Sequence, residues 1–229
     1  MIKTIYAQTR REGLSREDFV HRWRRHGALA MTLPGFWDTV VRYIQSDRLG
    51  DVSGFASASA DYVGVGELHY ADVAGRLASK ASSELTSVLH PDAAQIFDRA
   101  HSINIGVEEV FLFRGRYAPL KLYAFVRRNP ALAQRDFFTR WDELQGGILR
   151  DAASGHLVRR VVSGHSLDDG ADADATLEFS FDTVADAQAF HAEWLRRIAT
   201  EGGGLIERDR LVVVPAFVSL FYDRRFYAG

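Results

Sequence analysis

The chain has no cysteine among its 229 residues. This absence excludes disulfides, thiolate nucleophiles and metal sites held by cysteine, and it is typical of a reducing compartment. The sequence also lacks any run approaching the ~18 unbroken apolar residues of a membrane span, and its N-terminus shows no signal-peptide pattern. We therefore expect a cytoplasmic protein that does not enter a membrane.

An excess of charge of either sign is also missing. The 28 lysines and arginines nearly balance the 30 aspartates and glutamates, for a net charge of -2. Such a chain has no basic field to attract nucleic acid or anionic lipid. Because 47% of the residues are hydrophobic, there is ample material for a core, and we expect a small hydrophobic substrate as the partner.

Several well-known catalytic motifs are absent as well. The sequence has no glycine-rich phosphate loop after a strand, no Gly-x-Ser-x-Gly elbow and no His-Glu-x-x-His zinc helix. Its eight histidines are dispersed. His21 and His26 are five residues apart, which is not the spacing that brings two metal ligands together on a helix. We expect no metal site.

What the sequence does contain is an internal repeat. The stretch IKTIYAQTRREGLSREDFVHRW is echoed by LKLYAFVRRNPALAQRDFFTRW, so that Phe19 matches Phe137 and Trp23 matches Trp141 at an offset of 118 residues. Further along, VGELHYADVAG is echoed by TLEFSFDTVAD. A repeat of this kind indicates that one structural unit occurs twice.

Each half is predicted to have the element order β-α-β-β-α-β. In the first half, strands are expected at about 2–9, 38–46, 62–70 and 103–114, with helices at about 16–33, 72–84 and 92–100. This order predicts a ferredoxin-like unit with helices on one face of an antiparallel sheet. The bare sheet faces of two units can cover each other. We expect an α+β fold in which units 1–115 and 119–229 pack their sheets together as an intramolecular dimeric α/β barrel.

A family resemblance rests on the N-terminal helix and the strand after it. The pattern LxREDFxxxWxxHxA (14–28), then LPG (33–35) and RYIQ (42–45), resembles the EthD family of the dimeric α/β-barrel superfamily. The resemblance covers about residues 1–115 and recurs more weakly over 119–224. It implies cofactor-free dehydratase, isomerase or cyclase chemistry, although some relatives bind haem. In such relatives a helix histidine and a strand tyrosine act in a cavity, and the matching positions are His26 and Tyr43.

The pattern of the first helix predicts where His26 points. The stripe Phe19, Trp23, His26, Ala30 and Leu33 follows the helical period, so we expect His26 to face the sheet. At the same offset the second half has Leu144, or Gln145 if the register slips by one. A buried imidazole must find hydrogen-bond partners that leucine does not need. A functional role is the better explanation for a histidine in the first copy only.

Other candidates lie on the strands. Glu67 and His69 share one strand face, but sequence parity does not tell which face lines a cavity. Glu67 has a counterpart in Glu178, so a structural role is as well supported as a catalytic one. His69 is matched by Ser180, which favours His69 as the specialised group.

The leading hypothesis is a cofactor-free lyase, isomerase or cyclase that acts on a small aromatic or polyketide-like compound. His26 would be the general base, Tyr43 the donor to the oxyanion and His69 a proton relay. Tyr6, Trp23 and Glu67 are candidates for substrate binding. The alternatives are a haem-binding or oxygen-using barrel protein with one axial histidine, and a non-enzymatic binding protein for an oxygenase pathway. Both a monomer and a homodimer remain open.

Overall fold

The computed structural model describes residues 1–151 and 155–226. Its eight strands are β1 (Ile2–Thr9), β2 (Val40–Arg48), β3 (Tyr62–Tyr70), β4 (Ile103–Phe113), β5 (Leu120–Val126), β6 (Arg160–Ser166), β7 (Ala175–Phe181) and β8 (Val212–Asp223). In these residues the α-helices are α1 (Arg16–Met31), α2 (Pro34–Thr39), α3 (Val73–Ala81), α4 (His90–Ala93), α5 (Gln134–Arg150) and α6 (Val184–Glu201).

The strands form a closed barrel in the order β1-β3-β2-β8-β5-β7-β6-β4. Strand β3 pairs antiparallel with β1 and β2, and β7 pairs antiparallel with β5 and β6. The α+β class and the antiparallel barrel are therefore confirmed. The origin of the barrel from two tandem EthD-like units stays a prediction.

The chain divides into two compact units. The first unit contains Met1–Asp47, Ala60–Gly106 and the chain from Val218 onward. The second unit contains Arg48–Ser59 and Val107–Phe217. Helices α1 to α4 belong to the first unit and α5 and α6 to the second, so that each unit has its own helical layer.

Helix α1 begins as the sequence predicts. The Ser15 hydroxyl accepts a hydrogen bond from the backbone N–H of Asp18 at 3.0 Å, which satisfies one of the free donors of the first turn. Helix α1 ends at Met31, but Pro34 then opens the short helix α2 rather than a loop. Proline suits the first turn of a helix because its missing N–H has no partner there anyway. Strand β2 consequently starts at Val40, two residues later than expected.

The predicted helix at about 92–100 lies elsewhere. It lies earlier in the chain, where a π-helical turn, Leu85–Leu89, continues directly into α4, which ends at Ala93. Beyond α4 the chain binds to β1, because the N–H of Asp98 donates to the carbonyl of Thr9 at 2.9 Å. This attachment to the sheet ends the helix early.

Aromatic side chains form the core beneath α1. The rings of Phe19, Trp23 and Phe97 pack together, with Trp23 and Phe97 edge to face at 6.2 Å between centroids. Phe19 and Trp23 are completely buried. Each such side chain contributes about 1.5–3 kcal/mol by leaving water, so this cluster fixes α1 and its neighbouring segment on the sheet.

Candidate active site

The expectation that His26 faces the sheet is wrong. The buried row of α1 is Phe19, Trp23, Gly27 and Ala30. Gly27 occupies the sheet-facing position because a Cβ there would lie 2.7 Å from the Gln45 amide nitrogen. The absence of a side chain at Gly27 lets α1 approach the sheet closely. Because Gly27 is the residue in the buried row, the preceding His26 lies on the flank of the helix.

At the flank, His26 forms a close pair with Asp92 of α4. Its Nδ1 lies 2.6 Å from the Asp92 Oδ2, and its side chain is 13% exposed. An ionised carboxylate only accepts hydrogen bonds, so Nδ1 donates in this pair, and in the neutral imidazole the lone pair is then on Nε2. The edge of the Phe97 ring supports the imidazole at 5.7 Å between centroids. The arrangement is that of an oriented general base.

A cavity of about 280 Å³ lies beside this pair. It is lined by Arg22, Arg25, Leu29, Asp92, Gln95 and Ile96. Three of these residues stand four before, one before and three after His26 on α1, so they lie together on one side of the histidine, which reaches the cavity lining through its partner Asp92. Its volume is near the lower end of the roughly 300–1,000 Å³ typical of small-molecule sites.

Tyr43 lies beneath α1 and not at this cavity. Its hydroxyl accepts a hydrogen bond from the Gln45 amide at 2.5 Å, and the same amide donates to the Trp23 carbonyl at 3.1 Å. Burial raises the pKa of Tyr43. Burial and the neighbouring Tyr43 also raise the pKa of Tyr6. Tyr6, Trp23 and Tyr43 thus form one layer between helix and sheet, which we call the tyrosine layer.

Arg24 closes the edge of the tyrosine layer. Its guanidinium donates to the side-chain Oε1 of Gln45, to the Asp47 carboxylate and to the Ser219 hydroxyl. Each guanidinium contact with a carboxylate or amide oxygen fixes the direction of the side chain as well as its position. The amide of Gln45 is therefore held at both ends.

Glu67 and His69 lie on the sheet face opposite to the tyrosine layer. The register pairs Lys3 and Arg42 with His69, and Tyr6 and Gln45 with Gly66, the residue before Glu67. Side chains of neighbouring strand residues point to opposite faces. The structure therefore keeps the predicted relay residue His69 apart from Tyr43.

On that opposite face Glu67 has two nitrogen-bearing neighbours. Its Oε2 lies 3.1 Å from His69 Nε2 and 3.6 Å from Lys3 Nζ, and all three side chains are at least 98% buried. A buried carboxylate requires such partners because its desolvation would otherwise be too costly. Sequence reasoning missed Lys3, although the repeat places Lys121 at the same point of the second half.

Asp92 is a candidate site residue that the sequence did not reveal. It belongs to α4, which is 66 residues from His26 along the chain. Only the composition of the His90–Ala93 turn, with two ionisable residues, could have pointed to it. Among the described residues no group of three or more histidines and carboxylates could hold a metal ion. Likewise, no helix within 1–151 and 155–226 is long and apolar enough to cross a membrane.

Comparison with known proteins supports the family resemblance. Residues 11–100 match the family model of the EthD domain. This match includes the helix with His26 and the turn with Asp92. No curated protein matches the chain in sequence.

Solved structures share the fold along nearly the whole chain. An anthrone oxidase-like protein has 8% identity and a TM-score of 0.65, over 97% of this chain and 92% of that chain. A protein with the provisional name of monooxygenase, from Fusobacterium nucleatum subsp. nucleatum, has 9% identity and a TM-score of 0.58, over 97% and 94%. A mutant chlorite dismutase from Candidatus Nitrospira defluvii has 10% identity and a TM-score of 0.54, over 94% and 91%. At these identities the similarity shows the fold alone.

Proposed function

We propose that the first unit is a cofactor-free enzyme site for proton transfer on a small aromatic or polyketide-like carbonyl compound. The observation that carries this proposal is the pair of His26 and Asp92 at 2.6 Å beside a cavity of about 280 Å³. The apolar side chains of Leu29 and Ile96 in that cavity suit a planar hydrophobic ring. The reaction class is that of a lyase, isomerase or cyclase.

The chemistry needs no external reagent. The lone pair of His26 Nε2 takes a proton from a carbon next to a carbonyl, and the electrons of that C–H bond move to the carbonyl oxygen as an enolate. Asp92 stabilises the imidazolium that forms. Return of the proton to a different carbon completes an isomerisation, while loss of a neighbouring hydroxyl as water completes an elimination.

The other predicted residues receive supporting roles in this proposal. Tyr43 is 2% exposed and its hydroxyl is bonded to Gln45, so we assign it, with Tyr6 and Trp23, to positioning α1 rather than to contacting the substrate. His69 and Glu67, on the opposite sheet face, are assigned to stabilising the interior of the sheet.

The test is deuterium exchange at the acidic carbon of anthrone, followed by NMR in D₂O under nitrogen. The folded wild-type protein should accelerate the exchange over buffer. His26→Leu, which copies the second half, should lower the catalysed rate by about 10²–10⁴-fold, the usual contribution of a general base. Asp92→Asn should also slow the exchange because the imidazole loses its fixed orientation. An equal rate in wild type and His26→Leu would overturn the proposal.

The alternative function is that of a haem protein. The cavity beside His26, at about 280 Å³, is too small for a porphyrin. The buried His191 of α6 contacts the rings of Phe55 and Trp194. These contacts place the imidazole inside the packed hydrophobic core of the second unit. A stoichiometric Soret band after addition of haemin would nevertheless replace the present proposal.

We further propose that residues 119–229 are a second, diverged EthD-like unit, joined to residues 1–115 in one chain. The support is the element order and the buried rows of α1 and α5, which coincide at the offset of 118 residues. Sedimentation analysis, which separates a monomer from a homodimer, would show whether this chain pairs further.

A further inference from the structure

We infer that the cavity beside His26 takes an aromatic carboxylate, and that Arg22 and Arg25 bind its ionised oxygens. The location of this site rests on the proposed function, but the nature of the ligand is a separate claim. The inference goes beyond a hydrophobic substrate because it names a charge that the substrate must carry.

The charge of the cavity is the first argument. Two arginines and one aspartate line it, and the aspartate is already held by His26 at 2.6 Å. Within residues 1–151 and 155–226 neither Arg22 nor Arg25 has a carboxylate partner, and Arg22 donates only to the Gln95 carbonyl at 3.2 Å. Two guanidinium groups without a counter-ion at one small cavity create a local positive potential that attracts an anion.

The geometry of guanidinium groups is the second argument. Planar guanidinium forks match the two oxygens of a carboxylate and form charge-assisted hydrogen bonds stronger than neutral ones. Leu29 and Ile96 add apolar surface to the same cavity. A flat apolar body with one carboxylate therefore satisfies both parts of the lining, and the arginines would also stabilise an enolate that forms next to it.

The second helix supplies an internal comparison. At the offset of 118 residues, Arg22 corresponds to Arg140, Arg25 to Glu143, His26 to Leu144 and Leu29 to Gly147. Helix α5 thus keeps one arginine but replaces the other by an acid, and it loses both the base and the apolar contact. The cationic lining and the base occur together in the first half alone, as expected for parts of one site.

The experiment is titration calorimetry with benzoate as the anionic probe and benzamide as its neutral isostere. Benzoate should bind at least tenfold more tightly than benzamide. Arg25→Gln and Arg22→Gln should each weaken benzoate about tenfold, because each removes a charged hydrogen-bond donor. Arg140→Gln, at the matched position of α5, should leave benzoate binding unchanged.

Two outcomes would overturn the inference: equal affinity for benzoate and benzamide, or benzoate binding that Arg25→Gln and Arg22→Gln do not weaken. The anthrone assay separates this inference from the proposed function. If His26→Leu abolishes exchange while the arginine variants bind benzoate normally, the base stands and the anion site fails. If benzoate binding depends on the arginines but His26→Leu exchanges at the wild-type rate, the anion site stands and the base fails.

Discussion

Helices α1 and α5 are built on the same buried row, yet they carry different chemistry. The row contains Phe19 and Trp23 in α1, and Phe137 and Trp141 in α5, at the same offset. The next position is Gly27 in α1 but Gln145 in α5, where the Gln145 carbonyl accepts a hydrogen bond from Trp194 at 2.8 Å. The two helices share the aromatic anchor and differ in the turn after it.

Beneath these helices the two units have different polar contacts at matching positions. Arg24 binds Gln45 and Asp47 in the first unit. At the matching positions of the second unit, the Asp142 carboxylate accepts a hydrogen bond from Ser163 at 2.8 Å and lies 2.9 Å from His165. The acidic member of this helix-to-strand contact is thus reversed in position, on the strand in the first unit and on the helix in the second. A contact that both units retain in this way is structural. The pair of His26 and Asp92 has no such counterpart, because Leu144 stands at the position that matches His26.

The opposite sheet face shows the same division between shared and specialised groups. Lys121 Nζ lies 3.0 Å from Glu178 Oε2 in the second unit, as Lys3 pairs with Glu67 in the first. The shared pair supports a structural role for Glu67. His69 is the addition of the first unit, and Ser180 stands in its place in the second.

The largest effect is expected from removing the shared anchor. Trp23→Ala and Trp141→Ala each leave a cavity in a fully packed core and should lower the free energy of unfolding by about 3–5 kcal/mol. Urea denaturation followed by circular dichroism measures both. A loss confined to one of the two variants would break the claim that the helices share one anchor.

Acid should destabilise the second unit through His191. Burial lowers the pKa of this histidine to about 4, whereas the unfolded chain binds a proton below its usual pKa of about 6.5. The unfolded state therefore holds more protons between these values, and the free energy of unfolding should fall as the pH drops through this window, by about 3 kcal/mol at pH 4. Denaturation curves across this pH range measure the slope.

The matched variants for this pH dependence are His191→Leu and His21→Leu. The first should remove this part of the slope, because no buried imidazole remains to be protonated. The second should keep it, since the His21 side chain is 77% exposed. A slope that survives His191→Leu would assign the acid sensitivity to other groups.

The exchanged positions allow a double-mutant cycle in the first unit. Arg24→Asp places a second carboxylate next to Asp47 and should cost about 1–2 kcal/mol of stability. Adding Asp47→His recreates the pair of the second unit and should recover at least about 0.5 kcal/mol, the lower range for residues in contact. Thermal unfolding of the four proteins gives the coupling energy, and strict additivity would show that the two positions do not interact.

The smallest effect is expected from alanine at helix glycines, where its sign distinguishes the helices. Gly27→Ala pushes against the held amide of Gln45, so the strain should exceed the gain in helix propensity and destabilise by about 1 kcal/mol. At Gly147 of α5 an added Cβ meets nothing within 4 Å. Gly147→Ala should therefore stabilise by about 0.5–1 kcal/mol. Thermal melts compare the two, and a gain at Gly27 would contradict the close approach of α1.

The sequence predicted the fold well because repeated patterns are local. The β-α-β-β-α-β order, the Ser15 cap and the strands Tyr62–Tyr70 and Ile103–Phe113 all follow from short-range period and punctuation. The turn before β2 was mispredicted because Pro34 stops one helix and starts another, and sequence alone does not distinguish the two.

The site was predicted less well because its geometry depends on one helix position and on distant partners. A shift of one residue, from His26 to Gly27, separates the flank of α1 from its buried row, and both rows agree with the helical period. The partner Asp92 lies on another helix, and no local pattern joins the two residues. Tyr43 and His69 could not be assigned to opposite sheet faces without the strand register.

The most direct test compares the two histidine and aspartate pairs in one assay. The first unit has His26 with Asp92, and the second has His165 with Asp142. In the anthrone exchange experiment the account predicts that His26→Leu loses the catalysed rate while His165→Leu keeps it. A protein that keeps its rate in His26→Leu and loses it in His165→Leu would contradict the account and move the active site to the second unit.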